Sequence, residues 1–396
     1  LLILVINCGS SSVKYQVIDI KENKSLVTGI AERIGIPGSK IKQQLNGGGK
    51  FKLEKDLADH KEAIQQIFNL ITDKEHGAIG DMSQISAVGH RVVHGGEKFN
   101  RAVVIDDEVL KVLESLFDLA PLHNPPNVLG IKTCQALLPH APQVAVFDTA
   151  FHQTLPDYAY TYALPYEYYE RLQIRKYGFH GTSHKYVSNR VAEILGKPIG
   201  QLKIIVCHLG NGSSITAVDQ GKSVDTTMGF TPLAGVPMGT RSGDIDPAII
   251  PFIMKKENFS AAEVSTLLNK QSGVLGISGL SSDFRDLEEA AEKGNQRAIL
   301  ALNTFNYSVK KAIGAFSAAM GGVDVVAFTG GIGENGIDQR RDILQNMSYL
   351  GLELDNDKNN CRGKEAIISK EGSKVLAMVV PTNEELMIAK ETAELI

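Results

Sequence analysis

The sequence predicts an α/β protein made of two similar halves, and three observations carry that prediction. Short apolar runs that read as strands alternate with stretches of helical spacing, the pattern of a mostly parallel core. A strand–loop–strand–turn–strand unit opens the chain and returns near residue 202, as a duplicated domain would. Glycine supplies 38 of the 396 residues, against about 7% in ordinary proteins, so tight turns and close backbone approaches are numerous.

The elements follow in order. Leu2–Ile6 is an apolar run, Asn7–Ser12 a loop, Val13–Asp19 a second strand, and Ser25–Ile34 a third after the polar turn at 21–24. In the second unit, Leu202–Cys207, the loop His208–Ser214, Ile215–Asp219 and Lys222–Thr226 repeat that layout. Each copy carries Gly-Ser-Ser after its first run and ends its second strand in aspartate (Asp19, Asp219). Between the units, Asp59–Ile71, Asp106–Leu119 and Val128–Leu138 have helical spacing, with a proline-rich break at 120–126 and a turn at Gly47–Gly49. Gln143–Phe147 is a strand running into Asp148. Later, Asn295–Ala319 reads as one long helix before a buried strand, Val323–Phe328.

Composition excludes several classes. Lys+Arg at 41 and Asp+Glu at 45 give a formal charge of −4, without the basic excess of a nucleic-acid or anionic-membrane binder. The four cysteines are far apart with no C-x-x-C pair, which points to buried thiols rather than disulfides or a zinc site. Leu1–Ile6 is too short for a signal-peptide core, and no apolar stretch reaches the ~20 residues of a membrane span. The expected address is the cytoplasm.

Three loops look built to hold phosphate. Asn7–Ser12, with Ser10, Ser12 and Lys14 on the following strand, offers backbone N–H groups, hydroxyls and a cation. The second is His208-Leu209-Gly210-Asn211-Gly212, continuing to Ser214. The third, Thr329–Gly336, contains Gly331, Ile332, Gly333, Glu334 and Asn335 ahead of an expected helix, Ile337–Met347. No Walker loop is present. Gly331–Gly336 fits G-x-G-x-x-G with Asp355 near the spacing for a ribose contact, so a nicotinamide-dependent dehydrogenase is a competing reading. It leaves the other two loops unexplained. Four polar clusters remain: His90–Gly96, Phe147–His152, Gly178–His184 and Gly239–Asp244. His180 and His184 have i,i+4 spacing but no third metal ligand, which argues against zinc.

These segments, the last two clusters extended to Lys176–His184 and Met238–Asp246, span the chain in order with Asn7–Lys14, Ser281–Arg285 and Pro381–Glu385, and resemble the acetokinase family of acetate, propionate and butyrate kinases. Cys8 departs from that pattern, where alanine is expected. The resemblance implies two similar domains of the actin-like (ribonuclease H-like) ATPase fold around a nucleotide cleft. Residues 1–150, joined by a C-terminal helix at 385–396, would form one; residues 151–384, with most of the nucleotide site, the other. It implies a homodimer and reversible transfer of the ATP γ-phosphoryl group to acetate, giving acetyl phosphate and ADP. Mg²⁺ is the implied cofactor, with Mn²⁺ able to substitute.

Site roles are implied in the same way. Asn7 and Glu384 would place the metal, and Lys14 would meet phosphates. Arg91 would hold the acetate carboxylate, beside an apolar wall of Val93, Leu122, Phe179 and Pro232. Arg241 and His180 would stabilise the transferring phosphoryl group, with His123 contributing nearby. Gly210, Asn211, Gly212, Asp283, Phe284, Arg285, Gly331, Ile332 and Asn335 would line the nucleotide site. The family treats Asp148 as an acid/base residue. A carboxylic acid of pKa ~4 to 5 is already ionised at neutral pH, so Asp148 is expected to orient the metal or an arginine instead. A propionate or other short-chain acyl kinase is the alternative on this scaffold.

Overall fold

A computed structural model describes all 396 residues. The chain divides into two units, Leu1–Phe151 with Asn383–Ile396, and His152–Thr382. Phe151, Asn383 and Glu384 therefore belong with the first unit, whereas the sequence reading placed them in the second half. The reason is the terminal helix Glu384–Ala393, whose residues Ile388 and Ala389 pack among Ile3, Val5, Val144 and Val146 of the first unit.

The first unit contains β1 (Leu2–Cys8), β2 (Ser12–Asp19), β3 (Lys24–Glu32), β4 (Lys40–Leu45), β5 (Lys50–Glu54), β6 (Ile85–Val92), β7 (Val103–Val104) and β8 (Gln143–Phe147), in the order β5-β4-β3-β2-β1-β6-β8-β7. The second contains β9 (Lys203–Leu209), β10 (Ser213–Asp219), β11 (Lys222–Thr226), β12 (Val325–Thr329), β13 (Ala366–Ile367) and β14 (Leu376–Val379), ordered β11-β10-β9-β12-β14-β13. The two sheets repeat one strand arrangement. An antiparallel meander (β1–β3, β9–β11) is extended from its first strand by two parallel strands (β6 and β8, β12 and β14). The repeat in the sequence is thus a repeat of topology.

Strand pairing runs further than the sequence reading allowed. Asn7 pairs with Lys14 and His208 with Ser214, so both residues sit in strands and the connecting loops shrink to Gly9–Ser11 and Gly210–Gly212. The first is closed by the Gly9 amide donating to the Ser12 carbonyl at 2.8 Å. The β4–β5 hairpin was not foreseen because its lysine-rich alternation looks polar; Gly47–Gly49 is its turn. The third loop is helical over Gly330–Asn335, with a second helix at Ile337–Leu344.

Capping accounts for several helix starts. Asp59, Asp106 and Asn295 each accept backbone N–H groups ahead of His60–Ile71, Asp107–Ser115 and Gln296–Ala319. The helix Asn124–Leu137 begins four residues before the expected Val128, because Pro125 and Pro126 occupy the first turn, where a missing N–H leaves no bond unmade. In the second unit the long helix Gln296–Ala319 buries Phe305, Val309 and Ile313 against Ile205, Ile215 and Phe328. No helix is long and apolar enough to cross a membrane.

Candidate active site

In the first unit, Arg91 lies on β6 and Asp148 follows the end of β8, its amide donating to the Val92 carbonyl at 3.0 Å. Adjacent parallel strands bring the two side chains together. Arg91 Nε and Nη2 donate to the Asp148 carboxylate at 3.0 and 2.5 Å, and Asp148 is only 1% exposed. This fork uses two of the three guanidinium nitrogens and leaves Nη1 unengaged. The terminal helix closes over the same place. A Cβ on Gly89 would lie 2.4 Å from Thr392 Oγ1 and 2.8 Å from Ile388 Cγ2, so glycine permits that approach, and it brings Glu384 within electrostatic range of Arg91 and Asp148. Asn7, Lys14, Arg91, Glu384 and Glu385 line one small cavity. Burial chiefly, with Asp148 and Glu385 adding and Arg91 and Lys14 opposing, raises the Glu384 carboxyl to about 7.

Two asparagines that the sequence reading passed over hold this framework. Asn127 accepts from the Val93 amide at 3.2 Å and donates to the Cys8 carbonyl at 2.7 Å. Asn124 exchanges two bonds with the His94 backbone, at 3.2 and 2.9 Å. Their only signal was their place flanking the two prolines. Val93 is buried as expected, whereas Leu122, expected in the apolar wall, is 71% exposed. His123, at the start of Asn124–Leu137, is exposed too. Ser10 and Lys14 are exposed, while Asn7 and Ser12 are half-buried. Cys8 is a buried free thiol whose pKa burial pushes up to about 12, so it is not reactive at neutral pH.

In the second unit, His180 sits at φ +56°, in the left-handed region, just before the helix Gly181–Leu195. Buried His152 pins the turn: its Nε2 donates to the Phe179 carbonyl at 2.9 Å and its Nδ1 meets Ser223 Oγ at 2.8 Å. Burial lowers the His152 pKa to about 4, so it is a neutral support. Phe179 itself is buried. Arg241 has no acidic partner. Its Nη1 reaches the Pro232 carbonyl at 3.3 Å, and burial lowers its pKa. His180 Nε2 and Arg241 Nη1 converge over the glycine loop, each 3.4 Å from where a Gly212 Cβ would stand.

A cavity of about 740 Å³ lies beside them. It gathers Gly210 and Asn211, Asp283–Arg285, and Gly331, Ile332 and Asn335, three segments far apart in sequence. Glu288 and Arg362, unforeseen, also line it. Phe284 lines it too, and its ring packs on Phe305 with centroids 4.7 Å apart. Arg285 is exposed and paired with Asp283. Of the second-unit residues expected at the nucleotide, five do not line this cavity: Gly212, which instead lies under His180 and Arg241, and His208, Leu209, Gly333 and Glu334. Ser10, Ser12 and Lys14 belong to the first unit. His208 and Leu209 are strand residues. Gly333 is buried, and Glu334 turns inward to accept from the Gly330 and Thr382 amides at 2.9 and 3.2 Å. Asp355, which a dehydrogenase would need on a ribose, caps the turn Asn356–Asn359.

The profile of the acetokinase family matches residues 2–390. The chain belongs to the acetokinase family. It is 64% identical over 396 residues to the acetate kinase of Desulforamulus reducens, covering all of both chains. Among solved structures, Porphyromonas gingivalis acetate kinase superposes with a TM-score of 0.97 at 49% identity, covering 99% of each chain. A propionate kinase from Francisella tularensis gives 0.93 at 45% identity over the full length of both. As an acetokinase the chain is a phosphotransferase with a carboxyl group as acceptor and ATP or ADP as co-substrate, which leaves no place for the dehydrogenase reading.

Proposed function

We propose that this acetokinase-family chain reversibly transfers the γ-phosphoryl group of ATP to acetate in a single in-line displacement. A carboxylate oxygen of acetate forms the new bond to phosphorus. The bond to the β,γ-bridging oxygen breaks, and that oxygen leaves with ADP. The observation that carries this reading is the Arg91 fork. Asp148 fixes the guanidinium plane and leaves Nη1 to donate to a planar carboxylate. Asp148 needs to remove no proton, because acetate is already ionised. His180 and Arg241, aimed at one point, would neutralise the equatorial phosphoryl oxygens, and Lys14 the other phosphates. The 740 Å³ cavity would take the nucleoside.

A divalent cation fits the first unit. No three His, Cys, Asp or Glu side chains form a ready-made metal cage, and Mg²⁺ requires none, since it keeps several waters and takes one or two carboxylates plus phosphate oxygens. Asn7 and Glu384 supply that donor set, and a cation would offset the burial, and the neighbouring Asp148 and Glu385 charges, that raise the Glu384 carboxyl. Mg²⁺, or Mn²⁺ in its place, would neutralise charge on the transferring phosphates. The pH dependence has a definite sign. Above pH 7 Glu384 is ionised; below it a proton competes with the cation. Isothermal titration should show Mg²⁺ affinity weakening below pH 7 by up to about tenfold per unit, with the dependence abolished in Glu384→Gln. An unchanged pH profile in that variant would remove Glu384 from the metal site.

The remaining assignments rest on the same reading: a cytoplasmic homodimer acting on small molecules, without nucleic acid or membrane. Leu300 and Tyr307, 56% and 63% exposed on the long helix, supply apolar surface for self-association, which light scattering would test. The deciding assay is ATP-dependent acyl-hydroxamate formation with acetate, propionate and butyrate, with and without Mg²⁺. Buried Val93 favours acetate over propionate by about tenfold or more in kcat/KM, the worth of one methylene. Propionate exceeding acetate would keep the mechanism and overturn the pocket. No product from folded protein would overturn the kinase reading.

A further inference from the structure

Behind His180 lies a buried hydroxyl–imidazole chain that the chemistry above does not use. Ser214 Oγ stands 2.9 Å from His180 Nδ1 and 2.7 Å from His184 Nε2, and both Ser214 and His184 are fully buried. One hydroxyl thus contacts two imidazoles, and it has a single proton to give. His184 Nδ1, also buried, meets no hydrogen-bond partner. His208, held through its Nδ1 by Ser183 Oγ at 2.8 Å, lies against the His180 ring with centroids 4.3 Å apart and fixes its plane.

Two proton arrangements satisfy the chain when the rings are neutral. In one, His184 Nε2–H donates to Ser214 Oγ and the Ser214 hydroxyl donates to His180 Nδ1, leaving a bare lone pair on His184 Nδ1. In the other every proton is reversed, and His184 Nδ1 carries a buried N–H with nothing to receive it. Orphaned buried N–H groups are the rarer and costlier defect, so the first arrangement prevails. It places the proton of His180 on Nε2, the atom that faces the point shared with Arg241 Nη1. In the reversed state Nε2 would present a lone pair to a phosphoryl oxygen.

We propose that Ser214 and His184 are positioning residues that lock neutral His180 as its Nε2–H tautomer, so that it meets the transferring phosphoryl group as a hydrogen-bond donor without having to carry charge. This inference rests on the phosphoryl-transfer reading for its purpose but not for its test. Nitrogen NMR of the full-length protein labelled with ¹⁵N-histidine at pH 8, where free imidazole is neutral, reports each ring's tautomer without any turnover. The expected spectrum has His180 and His184 protonated on Nε2 and bare on Nδ1. In Ser214→Ala the His180 Nδ1 resonance should shift as its donor is lost, and kcat should fall about threefold to tenfold with KM for acetate and ATP within twofold. Ser214→Cys, a weaker donor of similar size, should lie between. His180 protonated on Nδ1 in the unmodified protein, or a His180 spectrum indifferent to Ser214→Ala, overturns the proposal. If Ser214→Ala does not fold, the unmodified spectrum and Ser214→Cys decide it. Absence of acyl phosphate formation with the expected tautomers would overturn the functional reading and leave the lock standing.

Discussion

Replacing Arg91 by alanine should lower kcat/KM for the carboxylate substrate by roughly a thousandfold, the scale of losing a preorganised charged donor from an active site. ADP affinity should be unchanged, because the 740 Å³ cavity is built wholly from the second unit. Stability should fall as well. Asp148 is 1% exposed and would be left as a buried, unpaired carboxylate, a change that typically costs about 3–5 kcal/mol. The double variant Arg91→Ala/Asp148→Asn separates the two effects: thermal stability should recover substantially while activity stays lost. Recovery of activity in the double variant would exclude Arg91 as the carboxylate donor. Asp148→Asn alone keeps one acceptor for Arg91 and should retain near-normal turnover at saturating Mg²⁺. A loss that no magnesium concentration repairs, with normal substrate binding, would make Asp148 a proton carrier.

Arg340→Leu should destabilise the second unit by about 3 kcal/mol or more, lowering Tm by roughly 6–12 °C for a domain of this size. Arg340 is completely buried, with no carboxylate beside it. Its guanidinium instead donates to Asn359 Oδ1 and to the carbonyls of Gly333, Asn359 and Cys361, all at 2.8 Å. Burial lowers its pKa, though not into a range where it would lose its proton. Leucine fills part of the volume and takes the donor away from Asn359 Oδ1 and from the Gly333 and Cys361 carbonyls, while the Asn359 carbonyl keeps the Cys361 amide at 2.7 Å. Arg340→Lys should rescue only partly, since a point charge cannot serve a fork of acceptors. Differential scanning calorimetry would read both. A Tm within 2 °C of the parent for Arg340→Leu would show that water replaces the guanidinium and that the bonds add nothing net. Because Gly333 lies in the third glycine loop, ADP affinity should weaken in parallel.

Arg340 also marks where reading the sequence stops. An arginine in a polar helix after a glycine loop looks like surface charge, and only the return of residues 359–361 to the same spot turns it into a buried clamp. Asn124 and Asn127 went unseen for a similar reason. Their partners are the backbones of Val93, His94 and Cys8, and one bond spans 119 residues of sequence. Ser214 was legible only as the end of a glycine loop; pairing with His208 makes it a strand residue, and its shared hydroxyl appears only when His180 and His184, one turn apart on a helix start, are set against β10. Glu334 shows the opposite error. Its place in a glycine-rich motif suggested a ligand contact, yet its carboxylate is spent on its own loop.

By itself the sequence determined the strand–helix alternation, the duplicated meander, the glycine turns and the groups able to handle an anion. Those properties are local: the period of apolar side chains and the φ range of glycine act over a few residues. Tertiary structure decided which of those groups meet. The pairing of Arg91 with Asp148 depends on β6 and β8 being neighbours in register, and the placement of Glu384 depends on a C-terminal helix resting on Gly89. Pairing and packing of this kind join residues tens to hundreds of positions apart. Their energies depend on desolvation and geometry, which composition and spacing do not carry.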